Sequence, residues 1–578
     1  MLREGTENKI RGVEQEYPVS ARAGLNPSLL VSAAIQGLRR RRFSRVVKWD
    51  TATEISQETH ESKISSWFGE NGCRIYNDLG HLEISTPSYN SPFDAVAYDK
   101  ASEIYAFVGS REAGLALKKR VAVHKNNVAN TVVNRSGGGS AGGGGSATST
   151  ATSTARLSGS GKAGRVKTLT YATHGNFLTK RAACKDWSRV ERALIPWVVT
   201  RILLTGSGDV VSGDFVGAVG GKRGGVKFVI SPRAMFVTRK SSLSTTAGRG
   251  ILNTRDQPHA ARNKYWRLHD IHFEALRSEY AIFLRDILQA LVISAFEAGF
   301  LDDAPVLEDP VRTFKEISAD TQECEWRVRL KGGERTDAVA VLRFYLEKIE
   351  EMQEKGSGEG GKWEGEGKKA FEEALEKLEA RRVEDFVDGL DWVTKLALLV
   401  NYEPKTASEG ISVCNQYALL DASVLNCLDL GAGGGRGRGR GRGRRGSGSL
   451  YSQKESLAFA ERELPGVGWS SFSERVKYAL SNAPENTRDF FRAEILRRFG
   501  SHVRSVSWST LVLNEAKVTL DEPFMLNKAE IGAEMCRGEG EGEGGGEGGG
   551  EGEGEGQGRQ IEEVLSAAKR LHPDKVIY

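Results

Sequence analysis

The stretch Asn71–Pro87, NGCRIYNDLGHLEISTP, carries the strongest structural signal in this chain. If the segment is extended, its side chains alternate between two faces, so Arg74, Tyr76 and Asp78 point the same way. A cation, a phenol and a carboxylate then share one face, and Glu83 follows shortly after. Such a row suits a site that holds phosphate and a divalent metal beside a reacting carboxylate. The alternative is an ordinary strand with a solvated polar face.

A second acidic pattern lies near the start of the chain, in RGVEQEY at residues 11–17. Glu14 and Glu16 would share one strand face, where two carboxylates repel each other unless a cation lies between them. On its own an E-x-E pattern usually indicates only the solvent-exposed face of a strand. Beside Asn71–Pro87 the pair favours a metal site.

Further motifs follow in a fixed order along the chain. They are HKNNV (124–128), YATHGNFL (171–178), ILNTRDQPHA (251–260) with RLH (267–269), DWVTK (391–395), NTRDFFRAE (486–494) and VSW (506–508). With the two acidic segments, this set resembles the Pup deamidase/depupylase and Pup ligase family, and more closely its deamidase/depupylase branch. Pup is the prokaryotic ubiquitin-like protein. The resemblance covers most of the chain outside four low-complexity tracts.

The resemblance implies an α+β fold of the glutamine-synthetase-like, carboxylate–amine ligase type. Its antiparallel sheet forms a cradle that is backed by helices and followed by a smaller C-terminal domain. The hydrophobic pattern predicts short strands within Val166–Asn253 and a helix within Ala261–Phe300. Charged amphipathic helices are expected at Ala338–Lys355 and Lys368–Phe386.

The resemblance also assigns a catalytic and metal-binding set. Asp78 matches the family's catalytic aspartate, which can attack an amide carbonyl as a nucleophile or deprotonate a water as general base. The sequence leaves both routes open. Glu14, Tyr76 and Glu83 match the family's Mg²⁺ ligands, in keeping with the preference of magnesium for oxygen donors.

Contacts to ATP are implied at four further positions. Arg74 and Thr86 match nucleotide contacts, the first through charge-assisted bonds to phosphate. Trp508 matches a tryptophan whose indole would cover the adenine. Arg255 lies in a matching motif and is expected to join them.

Two reactions are known for this family. The deamidase/depupylase hydrolyses the terminal glutamine side chain of Pup, or its isopeptide bond to a substrate lysine, with ATP bound. The ligase uses ATP to join the C-terminal glutamate of Pup to a lysine. Asp78 and Glu83 are five positions apart, as in the deamidase, whereas the ligase has one more residue. SPFDAVAYDKA (91–101) also resembles a deamidase segment.

Hydrolysis of a Pup-like modifier and its lysine conjugates is therefore the predicted function, and ligation is the alternative. A degenerate nucleotide-binding homologue is a second alternative, because Gly175 and Gln257 replace glutamates of the family. The first replacement predicts a carboxylate missing from the cradle. The resemblance leaves open a functional link to a proteasome.

Composition agrees with a large cytoplasmic protein. The 578 residues carry a net charge of +5, which indicates neither a nucleic-acid nor a membrane partner. The six cysteines show no C-x-x-C spacing, which argues against a zinc site and fits a reducing compartment. No apolar run reaches membrane-spanning length, and no signal peptide is expected.

Low-complexity tracts set the predicted domain organisation. The catalytic domain is expected at residues 11–430, with disordered insertions at 136–164 and 356–367. An Arg/Gly linker at 431–449 leads to the smaller domain at 450–578, which has an acidic Gly/Glu insertion at 538–558. The Arg/Gly tract lacks interleaved aromatic residues, so a solvated linker is favoured over a nucleic-acid arm.

We predict that replacing residues 136–164 and 431–449 by short Gly/Ser linkers leaves the melting temperature and the amide-hydrolase activity unchanged. Loop-closure entropy changes by only about 0.6 kcal/mol per doubling of loop length. Thermal denaturation and a release assay check this expectation. Loss of a salt-sensitive RNA or DNA affinity that the full chain has would identify the Arg/Gly tract as a nucleic-acid arm.

Overall fold

The structure is a computed structural model. The residues that it describes are 9–21, 25–41, 43–50, 65–126, 128–133, 165–171, 173–212, 226–245, 248–355, 363–428, 472–532 and 553–578. Both tracts of the linker-replacement prediction, and residues 538–552 of the acidic insertion, lie outside this part of the chain.

Twenty strands are numbered in chain order. They are Arg11–Ala21 (β1), Ser44–Lys48 (β2), Ser65–Gly69 (β3), Arg74–Asp78 (β4), His81–Ser85 (β5), Val121–Val123 (β6), Val128–Val133 (β7), Arg165–Thr170 (β8), Thr173–Lys180 (β9), Asp209–Ser212 (β10), Val226–Val229 (β11), Val237–Ser242 (β12), Arg249–Asn253 (β13), Tyr265–Phe273 (β14), Arg327–Arg329 (β15), Arg335–Asp337 (β16), Val503–Val506 (β17), Thr510–Leu513 (β18), Lys517–Thr519 (β19) and Val576–Ile577 (β20).

The helices surround these strands. They are Pro27–Arg40 (α1), Pro92–Leu117 (α2), Trp187–Thr200 (α3), Ile202–Thr205 (α4), Glu279–Glu297 (α5), Pro310–Ala319 (α6), Ala338–Lys355 (α7), Glu364–Glu379 (α8), Asp391–Tyr402 (α9), Ala407–Ala418 (α10), Phe472–Ser481 (α11), Asp489–Phe499 (α12) and Glu553–Leu571 (α13).

A ten-stranded sheet organises the larger part of the molecule. Its order is β12-β13-β14-β9-β1-β5-β4-β3-β2, and β6 pairs with the end of β1. Neighbours among these described strands are antiparallel, except for β12 and β13, which are parallel. The predicted α+β class with an antiparallel cradle is therefore confirmed.

Strand β1 lies at the centre of the sheet and separates two environments. Its side chains alternate strictly between buried and half-buried positions from Arg11 to Ser20. Val13, Tyr17 and Val19 enter the main hydrophobic core, while Glu14 and Glu16 lie on the opposite face. The register is fixed because a slip by one residue would carry both carboxylates into the core.

Helices α1, α2 and α5 pack behind the sheet. Helix α2 begins at Ser91, whose hydroxyl accepts a hydrogen bond from the backbone N–H of Phe93, and Pro92 occupies the first turn. An internal charge network joins it to the sheet, because the ammonium of Lys125 contacts both Asp99 and Glu103, at 2.9 Å for Glu103. Buried charges of this kind are tolerated when they are paired.

A second hydrophobic core lies at the β2–β3 edge of the sheet. It combines Val47, Trp49 and Phe68 with side chains from α12, β17–β19 and α13. Trp49 forms a parallel bridge with Val506, so the C-terminal unit continues the edge of the large sheet. Helix α11 contributes to the main core instead, although it lies within the predicted C-terminal domain. The domain boundaries themselves stay a prediction.

Several elements differ from the sequence pattern. The region predicted as strands contains helix α3, capped by Asp186, and the segment predicted as helical begins with strand β14. Short apolar runs fit either structure, and tertiary burial decides between them. Residues 364–367 of the predicted insertion 356–367 form the start of α8, and Gly367 lies against Ile287 there. Residues 553–558 of the predicted acidic insertion belong to α13. Helix α7 has the predicted bounds.

Across the described residues, the search for helices long and apolar enough to cross a membrane finds none.

We expect Trp49→Ala to lower the free energy of unfolding by about 3–5 kcal/mol, because it leaves a cavity in the second hydrophobic core. Trp49 is 2% exposed, and its ring lies 5.3 Å from that of Trp508. Urea denaturation measures the change, and Trp49→Phe is the matched control that retains an aromatic ring. A loss below 1 kcal/mol for the alanine variant would contradict this packing role.

Candidate active site

A tight hairpin between β4 and β5 forms the front of the site. Its two-residue turn consists of Leu79 and Gly80, both in the left-handed region with φ of 49° and 91°. Asparagine and glycine favour that conformation, whereas leucine adopts it at a cost. The turn places Asp78 opposite His81 and Tyr76 opposite Glu83.

Three carboxylates meet beside this hairpin. Glu16 lies opposite Glu83 across the β1–β5 pair. Donor oxygens of Glu16, Asp78 and Glu83 lie within 4.8 Å of one another. The phenol of Tyr76 donates a hydrogen bond to Glu83, and burial followed by the Glu83 charge raises the pKa of that phenol well above its ordinary value. Tyr76 therefore stays protonated and holds the Glu83 carboxylate in place.

Glu14 belongs to a different cluster, one row further along β1. His174 lies directly opposite it on β9, with Nδ1 at 3.3 Å from Oε2, and His269 Nε2 lies at 3.8 Å from the same oxygen. Asn176 donates a hydrogen bond to Glu14 Oε1 at 3.0 Å, and Arg267 lies 3.7 Å from that oxygen.

The protonation states of Glu14 and His269 in this second cluster favour the binding of a cation. Withdrawal from water opposes ionisation of Glu14, but its interactions with His174 and His269 hold the pKa of the carboxyl well below its ordinary value. Burial, followed by the Arg267 charge, lowers the pKa of His269 to about 3. His269 is therefore neutral at physiological pH and keeps a lone pair available for a metal.

Both donor sets fit divalent cations. The oxygen-only set of Glu16, Asp78 and Glu83 matches the ligands that Mg²⁺ prefers. The set of one carboxylate and two imidazoles suits softer divalent ions such as Mn²⁺ or Zn²⁺ as well. Both ring nitrogens of His269 are buried and have no hydrogen-bond partner within the described ranges, which is the condition expected of a ligand. The structure thus divides the predicted set Glu14, Tyr76 and Glu83 between two clusters.

A pocket opens at the end of the cradle next to Glu14. It lies between the sheet and the C-terminal unit, so residues from both contribute to its walls. The lining residues are Ile10, Arg11, Gly12, Val13, Glu14, Ser85, Thr86, Ser88, Asn176, Leu178, Pro258, His259, Arg267, Arg488 and Trp508.

Two of the four predicted nucleotide contacts line this pocket. The Thr86 hydroxyl accepts a hydrogen bond from the Val13 N–H at 3.0 Å, and Trp508 enters from the C-terminal unit. Arg74 does not line the pocket, and its guanidinium lies 3.9 Å from the centre of the Trp49 ring and 4.3 Å from that of the Tyr76 ring. Arg255 does not line the pocket.

Sequence reasoning did not assign several residues that the fold brings into the site. His174 and His269 complete the cluster of Glu14, whereas Glu16, which joins Asp78 and Glu83, belongs to the E-x-E pair that predicts a metal site. Three further side chains, His259, Arg267 and Arg488, line the pocket. Pairing of β14, β9 and β1 brings His174, His269 and Arg267 next to Glu14, so the spacing of these three residues in sequence carries no signal.

The expectation that Gly175 removes a carboxylate from the cradle is wrong. On β9 the half-buried residues His174 and Asn176 face the site, whereas Gly175 is buried on the other face. A Cβ at this position would lie 2.6 Å from the ring of Phe273. Phe273 therefore occupies the space of a side chain, and the set of site ligands is unaffected.

The class of this protein follows from an α+β cradle that carries two clusters of potential metal ligands beside a pocket. The chain belongs to the Pup-ligase protein family, which it matches over residues 9–134 and 166–422. It is 28% identical over 574 residues to a depupylase of Acidothermus cellulolyticus, covering 92% of this chain and 98% of that protein. It is also 28% identical over 529 residues to a Pup–protein ligase of Acidimicrobium ferrooxidans, covering 89% and 96%.

Solved structures of the Pup ligase PafA share the fold. The complex of that ligase with Pup superposes with a TM-score of 0.64 at 20% identity, covering 95% of this chain and 99% of the ligase. The ADP complex gives a TM-score of 0.57 at 22% identity, with 85% and 90% coverage.

We expect the wild-type protein to bind two Mn²⁺ ions, and Glu83→Ala and His174→Ala each to lose a different one. Each substitution removes one ligand from a separate cluster, so each should weaken a single site by about 10-fold or more. Electron paramagnetic resonance titration with Mn²⁺ counts the sites. Glu323→Ala, at an exposed position, is the control. Equal titration curves for all four proteins would rule out both clusters as metal sites.

Proposed function

We propose that this protein is a Pup deamidase/depupylase, an ATP-binding enzyme that hydrolyses the side-chain amide or isopeptide bond at the C-terminal residue of Pup or a Pup-like modifier. The observation that carries the proposal is the convergence of Glu16, Asp78 and Glu83 around the tip of the β4–β5 hairpin. Asp78 is half-buried there, at the end of β4, where a substrate can reach it.

Hairpin length supports hydrolysis over ligation. Two turn residues close the β4–β5 pair, and the register from Tyr76–Glu83 to Asp78–His81 is regular. One additional residue, as the family resemblance gives for ligases, would require a longer turn or a bulge and would re-aim Asp78.

In the proposed mechanism, Asp78 acts on the scissile carbonyl. It either attacks the carbon directly, forming an anhydride that water then hydrolyses, or removes a proton from the attacking water. In both routes one water is consumed, the C–N bond breaks and the amine leaves with a proton. Glu16 and Glu83 would hold Mg²⁺ beside Asp78 with Tyr76 orienting Glu83. A bound cation supplies charge stabilisation for the developing oxyanion.

The pocket between the cradle and the C-terminal unit is the proposed ATP site. Arg267 and Arg488 supply positive charge for phosphates, and Trp508 supplies an aromatic face for the base. Glu14, His174 and His269 would hold a second cation at the mouth of this pocket. A bound ADP in the related ligase PafA supports a nucleotide here.

Ligation is the second candidate. The Pup–protein ligase of Acidimicrobium ferrooxidans has the same identity to this chain as the depupylase, and the ligase PafA shares the fold. A depupylation assay and a ligation assay separate the two functions. Release of lysine substrate from a Pup conjugate without stoichiometric ADP formation indicates hydrolysis, whereas conjugate formation with one ADP per bond indicates ligation.

We predict that Asp78→Asn lowers turnover by at least about 1000-fold while nucleotide affinity persists, because the substitution keeps the shape and removes the reacting charge. Release of lysine substrate and binding of a fluorescent ATP analogue are measured in parallel. Asp94→Asn, at the start of α2 and outside the site, is the matched control. Turnover within threefold of wild type would exclude Asp78 as the reacting group.

Single-turnover reactions in ¹⁸O-labelled water distinguish the two routes. An anhydride transfers the label into the Asp78 carboxylate in part of the turnovers, whereas a general base leaves that side chain unlabelled. Mass spectrometry of the active-site peptide reads the outcome.

A further inference from the structure

A second cavity lies on the opposite face of the large sheet from the nucleotide pocket. On β14 and β9, Arg267 pairs with Leu178, and both side chains line the nucleotide pocket. The adjacent pair, Trp266 and Thr179, therefore lies on the other face, because side chains alternate along a strand. Trp266 lines a cavity of about 430 Å³ there, which falls within the range of roughly 300–1,000 Å³ that small-molecule sites occupy.

The lining of this cavity, which we call the rear cavity, combines aromatic and cationic groups. The ring centres of Trp187 and Trp266 lie 5.9 Å apart, with an angle of 39° between the ring planes. The Arg181 guanidinium lies 5.1 Å from the centre of the Trp266 ring, and the exposed Lys185 adds a second cation. Among the described residues, no carboxylate lines the cavity. The lining residues are Arg181, Cys184, Lys185, Trp187, Thr254 and Trp266.

The two indoles differ in their hydrogen bonds. Trp187 Nε1 donates to the Ser241 hydroxyl at 3.0 Å, so this ring is held in place by the protein itself. Trp266 Nε1 is buried without a partner in the described part of the chain, and the same holds for Arg181 Nε. Buried donors normally find acceptors. A ligand oxygen that reaches these two groups would thus form hydrogen bonds that the protein does not supply.

These groups define the chemistry of a ligand. Burial raises the pKa of the Cys184 thiol to about 12, so the thiol stays protonated and contributes wall surface rather than a nucleophile. A flat ring can extend the row formed by the two indoles, since aromatic rings favour offset or tilted contacts with one another. Two cations without a competing carboxylate in the lining favour a negatively charged group on that ring.

The segment 254–259 connects the rear cavity to the nucleotide pocket. Thr254 lines the rear cavity, whereas His259 lines the nucleotide pocket. Between them, both carboxylate oxygens of Asp256 accept hydrogen bonds from Arg181 Nη2, at 2.7 and 3.0 Å. His259 has a φ of 49°, in the left-handed region that few residues other than glycine adopt. A ligand that displaces Arg181 or Thr254 therefore acts on a constrained segment whose other end forms a wall of the nucleotide pocket.

We propose that the rear cavity binds a small planar aromatic carboxylate, and that its occupancy changes the affinity of the nucleotide pocket for ATP. The ring packs against Trp187 and Trp266, and the carboxylate pairs with Lys185 and Arg181. The link to ATP rests on the proposed function, whereas binding of the aromatic acid does not. Coupling between two sites is reciprocal, so ATP changes the affinity for the aromatic acid by the same factor.

The probe for this site is 2-naphthoate, titrated by ligand-observed NMR with saturating Mg²⁺ and ATP, which keep the probe out of the nucleotide pocket. We expect a Kd on the order of 1 mM or tighter. Two matched probes separate the contributions of ring and charge. Decahydro-2-naphthoate keeps the charge without the aromatic ring, and 2-naphthamide keeps the ring without the charge. Each should bind at least about fivefold more weakly than 2-naphthoate.

Variants locate the bound probe. Trp187→Leu and Lys185→Met should each weaken 2-naphthoate binding by about fivefold or more, because one removes a ring and the other a cation. Lys119→Met, at an exposed position at the end of α2, is the matched control and should leave the affinity unchanged. Thermal denaturation verifies folding, and Lys185→Met remains informative if Trp187→Leu unfolds, because Lys185 is exposed.

Isothermal titration calorimetry with ATP measures the coupling. Saturating 2-naphthoate should change the ATP affinity of wild type by at least about threefold. Asp256→Asn removes the contact with Arg181 and should abolish this change while 2-naphthoate still binds.

The outcomes separate the site from the proposed function. No saturable binding of 2-naphthoate, equal affinity for all three probes, or wild-type affinity in both folded variants would overturn the site. An ATP affinity that is the same with and without bound 2-naphthoate would overturn the coupling. Absence of ATP binding with intact 2-naphthoate binding would instead support the site and reject the proposed ATP pocket.

Discussion

The crowding of carboxylates on three adjacent strands is the constraint on which the rest of the structure depends. Glu16, Glu83 and Asp78 lie on β1, β5 and β4, whose neighbours are spaced about 4.8 Å apart. Mutual repulsion at this spacing opposes folding, so the free energy that stabilises the folded sheet must come from packing on its opposite face. There Val13, Tyr17 and their neighbours are fully packed, and burial of such side chains contributes roughly 1.5–3 kcal/mol each.

The same strand pairing separates two kinds of chemistry along β1. Glu14 and its two histidines adjoin the pocket that the C-terminal unit closes, while Glu16 adjoins the hairpin that carries Asp78. A spacing of two residues on one strand thus places nucleotide and substrate, in the proposed function, at neighbouring positions on one face. In the proposed function, ATP at one end can organise the cation cluster without being consumed at the other.

Docking of the C-terminal unit links its packing to the pocket. Trp49 touches Phe68 and Trp508, and the Arg74 guanidinium stacks on the same indole. Trp508 and Arg488 then reach the pocket from the far side. The Arg74 guanidinium also lies 4.3 Å from the Tyr76 ring, so the packing of this unit is connected to the Glu16–Asp78–Glu83 cluster as well as to the pocket.

The sequence by itself determined the shared face of Glu14 and Glu16, the extended segment that carries Tyr76 and Asp78 and, through the family resemblance, the α+β class. These follow from local alternation and from motif order, which need no long-range information. Only the tertiary structure decided which groups meet. His174 and His269 join Glu14 through the pairing of β1, β9 and β14, and the buried face of Gly175 is set by register. The meeting of Trp187 and Trp266 in the rear cavity likewise depends on contacts between segments far apart in sequence, because burial and strand pairing act in space rather than along the chain.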